Sequence, residues 1–227
     1  SKEDIEKCNR IRVVIEGEKN GGFIRTEDIS QWVESANPSW KNNSAARVKS
    51  NLIENHIREK EYVKSAEVYI DRNRNLNVYV TPKRPIARVH SGMESYYLSE
   101  MWDKMPLSTY HSSRVVHVTG SVDRLLNPIT PLDSFVELEL RTFMKYISEN
   151  KDWNLLIDQV HVSKEGKLEL YLSFTRHKII FGYLRENYKD RMSKIIHFFR
   201  KVPYMKSLSE YDVLDFQYSH QVIARKS

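Results

Sequence analysis

Apolar and polar positions alternate most clearly between residues 63 and 80. In Val63-Lys64-Ser65-Ala66-Glu67-Val68-Tyr69-Ile70, Ala66, Val68 and Ile70 fall on one face, with Glu67, Tyr69 and Asp71 on the other. Leu76-Asn77-Val78-Tyr79-Val80 alternates again, with Leu76, Val78 and Val80 inward. Asp71-Arg72-Asn73-Arg74-Asn75 between them is polar, so the spacing predicts two strands joined by a hairpin turn. Just upstream, Val48, Leu52, Ile53, His56 and Ile57 recur at helical spacing and predict a helix over about 48–58. Pro82 and Pro85 bracket Lys83-Arg84 and stiffen the exit into a further strand, Pro85-Ile86-Ala87-Arg88-Val89.

The N-terminal stretch completes a β-α-α-β-β order. Ile11 to Ile15 is apolar except for Arg12 and reads as a short strand, followed by a polar, Gly-bearing turn from Gly17 to Gly22. Thr26 is the expected N-cap of a helix with Ile29, Trp32 and Val33 on one face. Asn37-Pro38 ends it, and Asn42-Asn43-Ser44 is expected to cap the next helix. Both helices are expected on one face of a three-stranded sheet.

Beyond Arg84 the pattern turns to short strands. Tyr96-Tyr97-Leu98 and Met105-Pro106-Leu107 flank a turn, and Arg114 to Val118 is a strand ending at Thr119-Gly120. After a break at Asn127-Pro128-Ile129-Thr130-Pro131, Ser134 is expected to cap a helix with Val136, Leu140, Phe143 and Ile147 inward. Strands are expected near Leu155–Val162, Leu168–Phe174 and Lys178–Phe181, the first two turned by Glu165-Gly166-Lys167. A second helix, about Leu184 to Arg200, carries the stripe Leu184, Tyr188, Met192, Ile195 and Phe199. Tyr211 to Tyr218 and Gln221 to Arg225 then read as two closing strands. The expected class is α+β, with domains at 1–83 and 84–227, the second β-rich with two helices and antiparallel closing strands.

Composition changes this picture little. The net charge of +6 suits an anionic neighbour, but the positive charge is spread along the sequence and reads first as a solvated surface. No run of about 18 apolar residues is present. The opening Ser1-Lys2-Glu3-Asp4 reads as a piece of something longer. Cys8 is the single cysteine and nothing around it marks an activated thiolate. Ser148-Glu149-Asn150-Lys151 has the S-x-x-K form of acyl-transferases but lacks their companion motifs, and is expected to be a solvated helix end. The histidines are scattered, with no metal-ligand spacing, no phosphate-cradling glycine loop exists, and no cofactor is expected. Tyr69 and Tyr79 are expected as a cross-strand pair on a half-solvated face rather than a base-stacking platform, since no RNP-type string accompanies them.

Several strings in one shared order resemble the extracytoplasmic region of the bacterial cell-division family FtsQ/DivIB. They are Gly22-Phe23-Ile24-Arg25-Thr26-Glu27-Asp28-Ile29, Ile53-Glu54, Val63 to Tyr69, Pro85 to Val89, Tyr96-Tyr97-Leu98, Met105-Pro106-Leu107-Ser108, Val118-Thr119-Gly120, Arg191-Met192 to Phe199, and Leu214-Asp215-Phe216-Gln217-Tyr218. The likeness spans nearly the whole chain. It departs from the family where Met101-Trp102-Asp103 replaces a Gly-containing turn, at Lys60-Glu61, and at His220-Gln221, where a Gly is usual.

The resemblance implies a POTRA domain followed by a β-domain, outside the cytoplasm, at the division septum, behind a single inner-membrane helix. It implies a non-enzymatic scaffold for FtsB- and FtsL-like proteins within a complex of FtsW/FtsI-type septal synthases. It also implies that a partner strand adds to the last strand, through Tyr218, Ser219, His220, Gln221, Val222, Ile223, Ala224 and Arg225. Tyr69, Arg72, Arg74 and Tyr79 form a second expected partner surface; Arg72 and Arg74 occupy a hairpin tip, read first as solvated, with an acidic protein or lipid headgroups as the other readings. Two alternatives stand beside this: a POTRA module of an export or outer-membrane assembly system, and a basic RNA-binding module.

Overall fold

The computed structural model describes residues 7–17, 22–41, 47–92, 94–122, 128, 131–184, 187–201 and 206–226. Contacts divide the chain into two units, one comprising Ser1–Arg84 with Met105–Ser112, the other Pro85–Lys104 with Ser113–Ser227.

The first unit follows the expected order: β1 (Ile11–Ile15), α1 (Thr26–Ala36), α2 (Ser50–Arg58), β2 (Val63–Ile70) and β3 (Leu76–Pro82). Among the described residues its sheet runs β1-β3-β2, with β1 parallel and β2 antiparallel to β3. Pairing of Ala66 with Val80, Val68 with Val78 and Ile70 with Leu76 places the apolar positions on one face. Ile29, Val33, Ile53 and Ile57 from the helices are fully buried. Each such side chain contributes about 1.5–3 kcal/mol of burial. Helix α1 begins at Thr26, one residue earlier than a Thr26 cap requires, so Arg25 is the N-cap; Asp28 Oδ2 accepts the backbone N–H of Arg25 at 2.8 Å. The expected cap at Asn42-Asn43-Ser44 lies outside the described residues, as does most of the turn after Gly17.

Residues 105–112 pack with this first unit although they follow it by two strands. Tyr110 holds them there. Its hydroxyl donates to Phe23 O at 3.0 Å and to Asp28 Oδ2 at 3.1 Å, and the Arg25 guanidinium lies 4.2 Å from its ring centre. Burial works against the Asp28 charge, but hydrogen bonds from Arg25 and Tyr110 outweigh it and hold the carboxyl below its usual pKa.

The β2–β3 turn is built on Asp71. Its carboxylate accepts Asn75 N at 2.9 Å and Asn75 Nδ2, and these bonds lower its pKa to about 2. Cys8 is buried, and that burial pushes its thiol pKa up despite the charge of Arg74, as suits an unreactive thiol.

The second unit holds β4 (Pro85–Ser91), β5 (Glu94–Ser99), β6 (Lys104–Met105), β7 (Val116–Gly120), α3 (Pro131–Glu149), α4 (Lys151–Leu156), β8 (Ile157–Val162), β9 (Leu168–Leu172), β10 (Lys178–Gly182), α5 (Tyr188–Lys201), a 3-10 turn (Lys206–Glu210), β11 (Val213–Asp215) and β12 (Ile223–Arg225). Among the described residues the strands form one sheet, β12-β11-β10-β9-β8-β7-β4-β5-β6. Val89, Val118, Val160, Leu170, Ile179 and Leu214 share a buried cluster with Leu140, Phe143 and Ile147 of α3, Trp153 of α4, and Met192 and Ile195 of α5.

Two local features differ from expectation. Leu155 and Leu156 end a third helix, α4, instead of opening a strand. The cause is Asn150, whose side-chain oxygen accepts Asp152 N at 3.1 Å and Trp153 N at 3.0 Å and so starts a new helix where one was expected to stop. Lys151 is therefore the first residue of α4, not the solvated end of α3. At the second place, Trp102 stands at φ 66, the left-handed conformation that glycine adopts most cheaply, in the turn where the family usually carries a glycine. The indole is buried in the core cluster, and Ser99 holds the turn by accepting Met101 N and donating to Asp103. Burial of an aromatic ring here outweighs a backbone cost of about 1–3 kcal/mol.

Replacing Asn150 by Ala is expected to lower stability by about 1 kcal/mol, read as a shift in the denaturant midpoint. Because the folded pKa of Asp71 lies below the unfolded value near ~3.9, its contribution is complete above that value and is lost as pH falls through about 2. An Asp71→Asn variant should flatten the stability curve between those two pH values, and the carboxyl carbon shift of Asp71 should titrate near the lower one.

A candidate partner-binding edge

Strand β12 ends the large sheet. It pairs antiparallel with β11 through Val213–Arg225, Leu214–Ala224 and Asp215–Ile223, and among the described residues no strand pairs with its other flank. Three residue pairs are few, so other contacts must seat it.

The strongest is an ion pair. Asp215 is 1% exposed, and Arg225 Nη2 donates to its Oδ2 at 2.7 Å. Gln217 adds its backbone N–H and its side-chain amide to the same carboxylate, both at 3.1 Å from Oδ1. Burial removes water from this carboxylate, and these donors take its place. Gln217 reaches this position over Gly182. A Cβ at Gly182, whose φ is +81, would lie 2.6 Å from Gln217 Cγ, so the absence of a side chain there is required twice over.

Lys194 of α5 fastens the β11–β12 turn. Its ammonium donates to Tyr218 O and, at 2.7 Å, to Gln221 O. Burial lowers the Lys194 pKa, and the nearby Arg191 charge lowers it further. Arg191 in turn donates to Phe181 O at 2.6 Å and Tyr183 O at 2.9 Å. Between α5 and this turn lies a cleft of about 550 Å³ walled by Asp190, Arg191, Lys194, Phe216, Gln217 and Tyr218. Arg191 and Lys194 line it together with one carboxylate, Asp190.

The residues expected at this edge divide by position. Tyr218, Ser219, His220 and Gln221 are exposed on the turn. Val222 and Ala224 pack against the core cluster, whereas Ile223 and Arg225 alternate to the opposite face. Val222–Ala224 thus present no continuous apolar face, because successive strand residues face opposite ways. Sequence reasoning missed the roles of Asp215 and Lys194. The available signal was the spacing of Arg191 and Lys194, three apart and beside the α5 stripe.

The second expected surface lies in the first unit. Tyr69 and Tyr79 stack with ring centres 5.9 Å apart and an interplanar angle of 7°, both more than 40% exposed. A hydrogen bond to Tyr79 raises the Tyr69 pKa. Arg72 is exposed and Arg74 half-buried at the adjacent turn.

The Ser148 hydroxyl donates to Lys145 O at 2.9 Å. His90 Nε2 and His117 Nδ1 lie 2.7 Å apart with stacked rings, yet no cluster of three or more metal-binding side chains occurs among the described residues. No helix among them is long and apolar enough to cross a membrane.

Comparison with known families gives two matches. Residues 84–225 match a domain described as FtsQ/DivIB, C-terminal related, and residues 6–81 match a POTRA-like domain. No curated protein matches the chain. The family is one of non-enzymatic division scaffolds that act through protein–protein interactions, and membership points to a membrane-anchored protein. With a POTRA-like domain leading into that C-terminal related domain, which alone covers more than half its length, the chain belongs to the FtsQ/DivIB family.

Proposed function

We propose that the chain is the periplasmic part of a single-pass inner-membrane divisome scaffold without catalytic activity. It binds FtsB- and FtsL-type proteins and helps organise FtsW/FtsI-type septal peptidoglycan synthases at the division site. The observation that supports this best is the open flank of β12. Unpaired N–H and C=O groups on an outermost strand are a template for another strand.

Magnitudes say that the strand alone is insufficient. A three-residue flank offers two to four backbone bonds, each worth about 0.5–1.5 kcal/mol net. Micromolar affinity needs about 8 kcal/mol. The remainder has to come from side chains entering the cleft beside Tyr218, where each buried apolar group adds about 1.5–3 kcal/mol. A partner that runs along β12 and places side chains in that cleft meets both conditions. Family membership favours this over an outer-membrane assembly role. RNA binding is disfavoured because Tyr69 and Tyr79 spend their inner ring faces on one another.

Calorimetric titration with the extracytoplasmic segment of an FtsB-type protein tests the edge. Backbone amides alternate between the two flanks, so proline at one of Val222 and Ile223 removes an outward N–H and should weaken binding about threefold to tenfold. Equal affinity across both proline variants would count against strand addition. Arg225→Ala should cost about 1.5–3 kcal/mol of stability and also lower partner affinity, because β12 loses its hold on Asp215. A double-mutant cycle with Asp215→Ala should show that the two effects are coupled.

A further inference from the structure

Charge that is dispersed along the sequence is gathered by the fold at one end of the first sheet. Lys7 and Arg10 lead into β1, Arg12 is its second residue, and the β2–β3 turn carries Arg72 and Arg74. Backbone bonds lay these stretches side by side: Asn9 N donates to Arg74 O at 2.9 Å, Asn9 Nδ2 to Asn73 O at 2.6 Å, and Leu76 N to Arg10 O at 2.9 Å. Between residues 7–12 and 71–77 the sole acidic side chain is Asp71, whose carboxylate is occupied by Asn75.

Arg74 makes the concentration more telling. It sits at φ 58, where a side chain is disfavoured and glycine or asparagine is the usual occupant of a hairpin turn. A local preference is overridden at a position that holds a cation.

Aromatic surface adjoins the charge. Arg12 pairs with Asn77, which pairs in turn with Tyr69, so Arg12 and Tyr69 flank the same β3 residue. Val14, Tyr79 and Glu67 form the next row, and Val14, Tyr69 and Tyr79 are all exposed.

We propose that this end of the first sheet rests on an anionic lipid surface. Arg10, Arg12 and Arg72 are exposed at a turn and a strand entry, with Lys7 and Arg74 half-buried beside them, an arrangement suited to a broad field of phosphates. Tyrosine beside arginine is the chemistry of a membrane–water interface. In a membrane-anchored protein the bilayer is also held close, so modest affinity suffices. The proposal does not depend on the β12 edge.

The test is co-sedimentation of the full chain with vesicles of equal parts phosphatidylglycerol and phosphatidylcholine, against vesicles of phosphatidylcholine alone. Binding is expected only with phosphatidylglycerol and should fall as salt rises. Arg72→Gln and Arg74→Gly should each weaken it about fivefold, and Arg74→Lys should leave it unchanged. Arg74→Gly relieves the backbone, so it should melt no lower than the parent and its loss of binding cannot be unfolding. Equal partition onto both vesicle types, or indifference to Arg72→Gln and Arg74→Gly, overturns the proposal. So does binding to polyglutamate with none to vesicles, which would assign the patch to an acidic protein.

Discussion

A sheet must stop somewhere, and its last strand is half satisfied. In this chain the stopping strand is fixed less by its ladder than by one buried carboxylate. Asp215 draws in Arg225 from β12 and Gln217 from the turn, and Lys194 closes the turn from the helix side. The outer flank is thereby presented in a fixed register, on a strand too short to hold itself. Order at such an edge matters because a flank that must first be organised would bind more weakly by the cost of organising it.

The two units use similar devices for different ends. Both contain a positive-φ side chain where a glycine is the cheaper choice. At Trp102 the compensation is internal, since the indole fills the core. At Arg74 the side chain stands at a turn beside other cations, and no comparable burial offsets the conformation. Strain repaid by packing explains itself, whereas the conformation at Arg74 has no such internal repayment. Tyr110 shows a third device, in which a chain that has left the first unit returns to it and is held by one phenol between a carbonyl and a carboxylate.

What could be seen from the sequence follows from period and burial. Alternation over 63–80 placed both strands and their register, because one face is apolar at every second residue. The α5 stripe foretold which residues meet the core, and Met192 and Ile195 are fully buried. The outermost position of the last strand came from the order of family-like strings, not from the three residues of β12, which carry too little pattern to place a strand. Other features were beyond reach because they depend on residues distant in the chain. Asn150 looks like a helix end until its side chain is seen starting the next helix. Gly182 looks like an ordinary turn glycine until Gln217 is found above it. The clustering of Lys7, Arg10, Arg12, Arg72 and Arg74 requires the parallel pairing of β1 with β3, which no local window contains.

The brevity of β12 also guards against the wrong partner. Two copies joined edge to edge through three residues each would form few amide bonds, with no cleft filled on either side. Such a union gains little, so the exposed flank offers a second copy few bonds to hold it. On the strand-addition proposal, selectivity arises from insufficiency: the strand would hold only a companion that brings something more than a backbone.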